Sequence, residues 1–450
     1  MTTTDAQLAE FLAAAADKLG VPGTAVGVWV DGREVFACYG VTNIENPLPV
    51  TEDTLFKLGS VSKSFTATAL MRLVEAGKID LDAPVRRYVA EAPAEMTVLN
   101  LMNHTAGLDT RMVNNTGDGD DALARYVDLI ADVPTIGPVN GRASYSQIGF
   151  NLAGRVIEMV TGSTFEQAVE DLVLAPLQMA HSTYRPDQAM LRRFSVGHNN
   201  DEHGQLAVAR QWNDTRANNP GGGLASTVAD QLRFARFHLG DGTTETGQRL
   251  LSADTLTAMR RRTVELAGSS LGDGFGICWF LRPVGDERAF GHTGSSNGQF
   301  ADLQMIAERG FAVTVMSNAG PDSGLQLNEA VARWAMEHYL GVVERDPEPL
   351  PYDAEQARRV AGHYENEFMT ITVDNTGTGL TMACAIKPEV RAAMENEIPA
   401  DLPAATMGLL PGGQYIVTEG GLRGQRGIFT LADDGTITGL DAAGRLYRRR

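Results

Sequence analysis

The residues whose types and spacing could do chemistry begin with Ser60 and Lys63, three positions apart where a helix is predicted to start. Residues at this spacing share one helical face, so the hydroxyl and the ammonium can meet. The first turn of a helix also leaves backbone N–H groups without helical partners, and such donors can stabilise an oxyanion. This combination is typical of covalent catalysis by serine. Taken alone, the pair fits an N-cap serine followed by an exposed lysine equally well.

Lysine is scarce in this chain, which gives more weight to the lysine near Ser60. Arginine supplies most of the positive charge, and the lysines are confined to Lys18, Lys57, Lys63, Lys78 and Lys387. A lysine three residues after a serine is therefore less easily explained as an ordinary surface residue.

Two other parts of the sequence carry polar groups of the same kind. Tyr145 and Gln147 come just before an amphipathic run that predicts a helix. His292 begins the run His-Thr-Gly-Ser, which we predict to lie between a strand at 288–290 and a strand at 300–306. By itself, the tyrosine fits a loop anchor and the histidine fits an edge-strand residue.

The predicted elements indicate an α+β protein. An N-terminal helix and a hairpin turning at Asp31-Gly32 come first, and helical signals dominate residues 77–177. The later strands are predicted at 275–281, 288–290, 300–306 and 311–316, before a helix at 325–340. Strands at both ends of this part predict an antiparallel sheet flanked by helices, with a helical subdomain inserted.

The C-terminal part of the chain has a different residue pattern. Alternate prolines at 347–351 predict an extended linker, and short strands with glycine turns follow up to residue 450. We therefore predict a large α+β domain at 1–343, a linker at 344–354 and a small all-β barrel or sandwich at 355–450.

Composition limits the partners of the chain. Its net charge of -18 argues against nucleic acid and anionic membranes. The three cysteines give neither a disulfide framework nor zinc spacing, so we predict no metal and no cofactor. The N-terminus lacks the pattern of a signal peptide, and no apolar run is long enough to span a bilayer. We expect a cytoplasmic protein that acts on a small molecule or short peptide, with homo-oligomerisation left open.

Three motifs in this order, Ser-x-x-Lys, Tyr-x-Gln and His-Thr-Gly, resemble those of the penicillin-recognising serine hydrolases. The resemblance is greatest to the branch with class C β-lactamases, DD-peptidases and D-aminopeptidases. It includes the sequences around the motifs, at residues 56–63 and 104–108. It covers roughly residues 5 to 340 and implies the β-lactamase/transpeptidase-like fold. The part after about Tyr352 resembles the lipocalin-like barrel of some members.

The resemblance also implies roles for individual residues. Ser60 would be the acylated nucleophile, and Lys63 and Tyr145 would handle its proton. The oxyanion hole would be formed by the backbone N–H groups of Ser60 and of Ser295, which follows Gly294. His292 stands where many β-lactamases have lysine. Histidine at this position is more typical of the DD-peptidase and D-aminopeptidase members. Gln147 replaces the usual substrate-binding asparagine and reaches one methylene further.

The proton chemistry can be argued from the residues themselves. Lys63 and Tyr145 have reference pKa values near 10.4 and 10, so a base at neutral pH needs a fall of about 3 units. Phenolate with ammonium carries as many protons as phenol with amine. The first keeps an ion pair, which favours Tyr145 as the base, although the groups titrate as a coupled set. His292 could extend this network or bind a substrate carboxylate.

The sequence therefore predicts a serine hydrolase that forms an acyl-enzyme from amides or esters, with short peptides as substrates, and the resemblance alone implies that these include peptides with D-residues. The alternatives are an acyltransferase or esterase of small molecules, a β-lactamase, and a penicillin-binding protein that is acylated without turnover. Gly-x-Ser-x-Gly occurs at 268–272 and 294–298, but an α/β-hydrolase needs a helix directly afterwards and strand-like sequence follows instead.

Overall fold

The computed structural model describes residues 2–93, 95–108, 115–131, 133–201, 203–212, 215–320, 322–393 and 401–450. Within these residues the helices are Thr3–Leu19 (α1), Ser62–Glu75 (α2), Val98–Met102 (α3), Ala122–Ile130 (α4), Gln147–Thr161 (α5), Phe165–Val169 (α6), Pro186–Ala189 (α7), Asn219–Gly222 (α8), Val228–Leu239 (α9), Ala253–Arg260 (α10), Ser323–Leu340 (α11), Ala354–Val360 (α12) and Pro388–Ala393 (α13).

The strands in the same part of the chain are Gly23–Val30 (β1), Arg33–Gly40 (β2), Phe56–Lys57 (β3), His198–Asn200 (β4), Leu206–Val208 (β5), Ala225–Ser226 (β6), Val264–Ser269 (β7), Gly272–Phe275 (β8), Phe280–Val284 (β9), Glu287–Ser296 (β10), Gln299–Ile306 (β11), Phe311–Ser317 (β12), Gly362–Glu365 (β13), Met369–Asn375 (β14), Leu380–Ile386 (β15), Ala405–Leu409 (β16), Gln414–Val417 (β17), Arg426–Leu431 (β18), Ile437–Ala442 (β19) and Arg445–Arg449 (β20).

An antiparallel sheet of eight strands organises the larger part of the molecule. Its strand order is β2-β1-β12-β11-β10-β9-β8-β7, so the N-terminal hairpin pairs with strands that come almost 300 residues later. Helices α1 and α11 pack on one face, while α9 packs on the other. Because both faces are covered, every residue of β11 and β12 is buried. The predicted α+β sheet with an inserted helical part is confirmed.

The helical part surrounds α2, whose first turn carries the Ser-x-x-Lys pair. This helix is buried along most of its length and packs against α5 and α8. Its apolar residues belong to a large core, and Phe65 stacks on Phe234 of α9 with 3.9 Å between ring centroids. The start of α2 is therefore fixed against the sheet by well-packed neighbours.

The C-terminal strands β13 to β20 form a closed barrel, which the sequence could not distinguish from a sandwich. Residues of β14 alternate, with Ile371 and Val373 pointing into a core that includes Tyr364 and Leu440. β18 packs against β7 of the large sheet, and the N–H of Ser270 donates to the carbonyl of Arg426 at 3.3 Å. The barrel thus joins one end of the sheet.

Two predicted strand boundaries are wrong. The strand predicted at 275–281 is interrupted: Cys278 has a φ of 72°, and a turn separates β8 from β9. The run from His292 to Ser295, predicted to lie between strands, is inside β10. Gly294 made this part of the strand hard to recognise because glycine disfavours strands, yet a Cβ at this position would lie 2.0 Å from the carbonyl oxygen of Leu58.

In the portion of the chain that the structure describes, no helix combines the length and the apolar character needed to cross a membrane.

Candidate active site

The turn that carries Ser60 lies directly against β10. Residues Gly59–Val61 form a short 3-10 turn immediately before α2. Gly59 has a φ of 50°, and a Cβ there would lie 2.2 Å from the carbonyl oxygen of Ser295. On the other side, a Cβ on Gly294 would lie 2.8 Å from the backbone nitrogen of Ser60. Two glycines therefore allow the backbones of Ser60 and Ser295 to approach, as an oxyanion hole made by their N–H groups requires.

Lys63 is fully buried and its ammonium is surrounded by oxygen atoms. Its Nζ lies 3.1 Å from Oγ of Ser60, 2.5 Å from Oε1 of Gln147 and 2.7 Å from the carbonyl oxygen of Gly221. The nitrogen also lies 5.0 Å from the centre of the Tyr145 ring. The predicted pair of hydroxyl and amine is therefore in direct contact.

Tyr145 is held by its neighbours on both sides. His104 accepts a hydrogen bond from the N–H of Ser144 through its carbonyl and another from the N–H of Ser146 through Nδ1, at 2.9 and 3.1 Å. The N–H of Tyr145 itself donates to the carbonyl of Gly444, which lies between β19 and β20 of the barrel, at 2.7 Å. The rings of His104 and Tyr145 are 4.4 Å apart. The tyrosine is thus placed by the helical part and the barrel together.

Burial sets the protonation of Tyr145. Removing its ring from water raises the pKa of the phenol above the usual range, while a hydrogen bond with Ser60 and the charge of Arg445 lower it. The guanidinium of Arg445 lies 4.7 Å from the centre of the phenol ring. The phenol form is therefore favoured in the resting site, and the barrel contributes the cation that most directly opposes this preference.

His292 is a neutral member of the cluster. Its Nδ1 donates to the carbonyl of Thr293 at 2.6 Å, which leaves the lone pair on Nε2. The imidazole stacks on Phe280 at 4.1 Å, and its centre is 6.0 Å from that of Tyr145. Burial is the main cause that lowers the pKa of His292, to about 3. At neutral pH the ring therefore offers an acceptor and no positive charge.

Gln147 contacts Lys63 instead of facing open space. Its Oε1 accepts from Lys63, and its Nε2 donates to Oδ1 of Asn218. A Cβ on Gly221 would lie 1.9 Å from this Nε2, so glycine makes room for the longer side chain. The extra methylene of glutamine therefore reaches the lysine, an arrangement that the sequence comparison with asparagine did not predict.

A cavity of about 250 Å³ opens beside these groups. Ser60, Tyr145, Gly294 and Ser295 line one end, and Arg445 lines it from the barrel. Sequence reasoning did not assign functions to Arg445 or His104. Arg445 is one of several arginines near the C-terminus and gave no signal, whereas His104 lies in a motif that was noticed only as part of the resemblance. Its φ of 61°, unusual for histidine, is invisible in sequence.

Comparisons with known proteins agree with this geometry. The β-lactamase family profile matches residues 8–335. Penicillin-binding protein 4 of Amycolatopsis lactamdurans is 33% identical over 360 residues, which cover 77% of this chain and 94% of that protein. The structure of SurE with D-Leu aligns over 99% of both chains with a TM-score of 0.74 and 25% identity. A class C β-lactamase aligns over 74% of this chain and 97% of its own, with a TM-score of 0.61 and 21% identity.

The fold and the serine-centred cluster define a protein of the acyl-enzyme type. The chain belongs to the β-lactamase family, together with penicillin-binding proteins. It is therefore an enzyme, a serine hydrolase, and the family predicted from the three motifs is confirmed.

Proposed function

We propose that this enzyme cleaves amide or ester bonds of short peptides through an acyl-enzyme on Ser60. The observation that carries the proposal is the contact of 3.1 Å between Oγ of Ser60 and Nζ of Lys63, inside a cavity that Tyr145 also lines. A serine needs a group that takes its proton, and this lysine is within reach to do so. Ser295 and Ser60 would stabilise the oxyanion through their backbone N–H groups.

The pair of Lys63 and Tyr145 would start as amine and phenol. Burial holds the tyrosine in its neutral form. As an amine, Lys63 still has two N–H groups for Gly221 and Gln147, and its lone pair then faces Ser60. This assignment makes Lys63 the base, in place of the preference for Tyr145 that the sequence suggested. His292 would extend the hydrogen-bonding network as a neutral acceptor.

The reaction then proceeds in two halves. Oγ of Ser60 forms a bond to the substrate carbonyl carbon while its proton moves to Lys63. The bond to the leaving amine or alcohol breaks as that group receives a proton from the Lys63–Tyr145 pair. Water next attacks the ester carbon and gives a proton to the pair. The bond between that carbon and Oγ then breaks, the acid is released, and the pair returns the proton to Oγ of Ser60.

Short peptides with D-residues are the proposed substrates. The similar structure of SurE contains D-Leu, which supports a site of this kind for a D-amino acid. Acyl transfer to an amine is the second candidate, because barrel residues Gly424, Gln425 and Arg426 line part of the cavity and would narrow the path of water to the acyl-enzyme.

Intact-mass measurement of the acyl-enzyme tests the proposal. D- and L-aminoacyl esters and amides are mixed with the wild-type chain and with Ser60→Ala. We expect an acyl adduct on the wild type, a preference for D-residues, and neither adduct nor turnover in Ser60→Ala. Unchanged turnover in that variant would remove Ser60 from the mechanism. Products that form only with an added amine would identify a transferase.

A further inference from the structure

The cavity beside Ser60 continues to a second end that the proposed reaction does not use. There it passes between β11, α11 and the barrel, and it is lined by Asp302, Gln304 and Asn328. Each of these side chains is 5% exposed or less. The catalytic serine and three buried polar side chains thus share one continuous space.

Three oxygen atoms at this end lack donors. Oδ1 of Asp302, Oε1 of Gln304 and Oδ1 of Asn328 are buried and have no hydrogen-bond partner among the residues that the structure describes. The opposite ends of these groups are engaged: Nε2 of Gln304 donates to Oδ2 of Asp302 at 2.8 Å, and Nδ2 of Asn328 donates to the carbonyl of Val315 at 3.2 Å. The amide orientations are therefore fixed, and what remains is a set of acceptors.

The register of the sheet brings the three acceptors together. Asp302 and Gln304 are two residues apart on β11, so they point to the same face. Val315 lies directly opposite Asp302 on β12, and Asn328 sits on the helix above it. Side chains of opposite residues are about 5 Å apart at Cβ. The amide of Asn328 is therefore a near neighbour of the carboxyl of Asp302.

Two of the three cations around this end are paired with other carboxyls. Arg282 pairs with Glu344 at 2.6 Å, and Arg333 pairs with Glu329 and Asp346 at 2.7 and 2.8 Å. Burial lowers the pKa of the half-buried guanidinium of Arg426, and Glu344 and Asp346 are the acids that raise it. The groups around Asp302 are thus three carboxyls and three guanidiniums, and no ion pair to Asp302 is found within the described part of the chain. Burial raises the pKa of this carboxyl to about 7, although the charge of Arg282 lowers it.

A protonated primary amine matches this set of acceptors. An alkylammonium ion has three N–H donors and no acceptor. Buried acceptors are costly when unpaired, and a hydrogen bond between an ammonium and a carboxylate is among the stronger ones. A bound anion would be repelled by the carboxyl of Asp302 and the two amide oxygens, and its partner would instead be Arg426, which lines the same cavity and whose Nε has no hydrogen-bond partner among the described residues.

We propose that Asp302, Gln304 and Asn328 form a subsite for a protonated primary amine carried by the substrate. The inference rests on the function proposed for Ser60, which shares the cavity. Asp302 lies opposite Thr293, whereas Phe300 lies opposite Ser295 of the oxyanion hole. Two residues along a strand cover about 7 Å. The amine would therefore lie about 7 Å along the strand from the reacting carbonyl. In a peptide substrate this distance fits the end of a lysine-like side chain, or an amino group two residues away from the reacting carbonyl.

A pair of isosteric esters tests the subsite during turnover. The para-nitrophenyl esters of 6-aminohexanoic acid and heptanoic acid differ only at the end of the acyl chain, which is an ammonium in the first and a methyl in the second. In a second pair, two para-nitrobenzoate esters carry the same two end groups on the alcohol chain instead. In wild type we expect kcat/KM to favour the ammonium ester by about tenfold or more in one pair, the scale of a charged hydrogen bond. Asp302→Asn should bring that ratio close to one. Asp286→Asn, an exposed control, should keep the ratio.

A binding measurement separates this inference from the catalytic proposal. Hexylammonium and hexanol are titrated calorimetrically into the full chain and into both variants, which requires no acylation. Saturable binding of hexylammonium that weakens at least about tenfold in Asp302→Asn would support the subsite even if Ser60 proved unreactive. Binding that is absent from the wild type, equal for hexanol, or unchanged in Asp302→Asn would overturn it and leave water as the partner of these acceptors.

Discussion

The partnership of Lys63 and Tyr145 can be measured by a double-mutant cycle. Tyr145→Phe removes the hydroxyl that bonds to Ser60 and keeps the ring that packs against His104 and Phe280, at 4.4 and 5.9 Å. The variant should therefore stay folded. Loss of a group that transfers protons costs about 10²- to 10⁴-fold in rate. For acylation this corresponds to a barrier higher by about 3 to 5 kcal/mol.

Lys63→Met should be at least as damaging. It removes the amine that contacts Ser60, and it leaves the carbonyl of Gly221 and Oε1 of Gln147 without their donor. An unsatisfied buried acceptor costs about 1 to 3 kcal/mol, so this variant should also lose stability. If the two side chains act as one unit, the double variant should acylate no more than about tenfold slower than the slower single variant.

The assay is the burst of para-nitrophenol released from an activated ester, with the melting temperature of each variant measured in parallel. Rates are compared only at temperatures where every variant is folded. A loss below severalfold in Tyr145→Phe would assign the proton transfer to Lys63 alone. Fully additive losses in the double variant would refute the idea of a coupled pair.

Two further predictions concern the barrel. Arg445→Met removes the cation that lowers the pKa of Tyr145, so this pKa should rise. The limb of the kcat/KM profile that reports the phenol should then move to higher pH, and an unmoved limb would mean that the arginine does not act on Tyr145. Burial raises the pKa of Asp441 to about 7 from 3.8, so the folded state prefers the neutral acid and loses stability as pH rises between these values. Asp441→Asn should therefore be more stable than wild type at pH 8 by at most about 4 kcal/mol, and should lose this advantage near pH 4. Urea denaturation at both pH values measures the difference, and an equal or lower stability at pH 8 would contradict the reasoning.

Local patterns were sufficient to predict the central parts of the fold. The apolar period after Ser60 predicted the helix α2, and the alternation in β14 reflects burial on one face, which sequence records directly. The motifs then predicted that Ser60, Lys63 and Tyr145 share one site, and the structure brings them together. The division at residues 343 and 355, and any homo-oligomer, stay predictions.

Long-range contacts account for what the sequence did not predict. The strand character of His292 to Ser295 comes from pairing with β11, and not from the local propensity of a segment that contains a glycine. The contacts of Arg445 and His104 with Tyr145 join positions far apart in the chain. Nothing in the local pattern of either segment specifies such a partner.

The hydrogen bond from the N–H of Tyr145 to the carbonyl of Gly444 has a consequence for biosynthesis. Domains generally fold from the N-terminal side while the ribosome is still working, so the sheet and helices can form before β20 has been translated. Until then the loop around Tyr145 lacks this anchor and the cation of Arg445. A nascent chain would therefore be folded around Ser60 while still poorly able to acylate it, which would delay activity until the last strand has emerged.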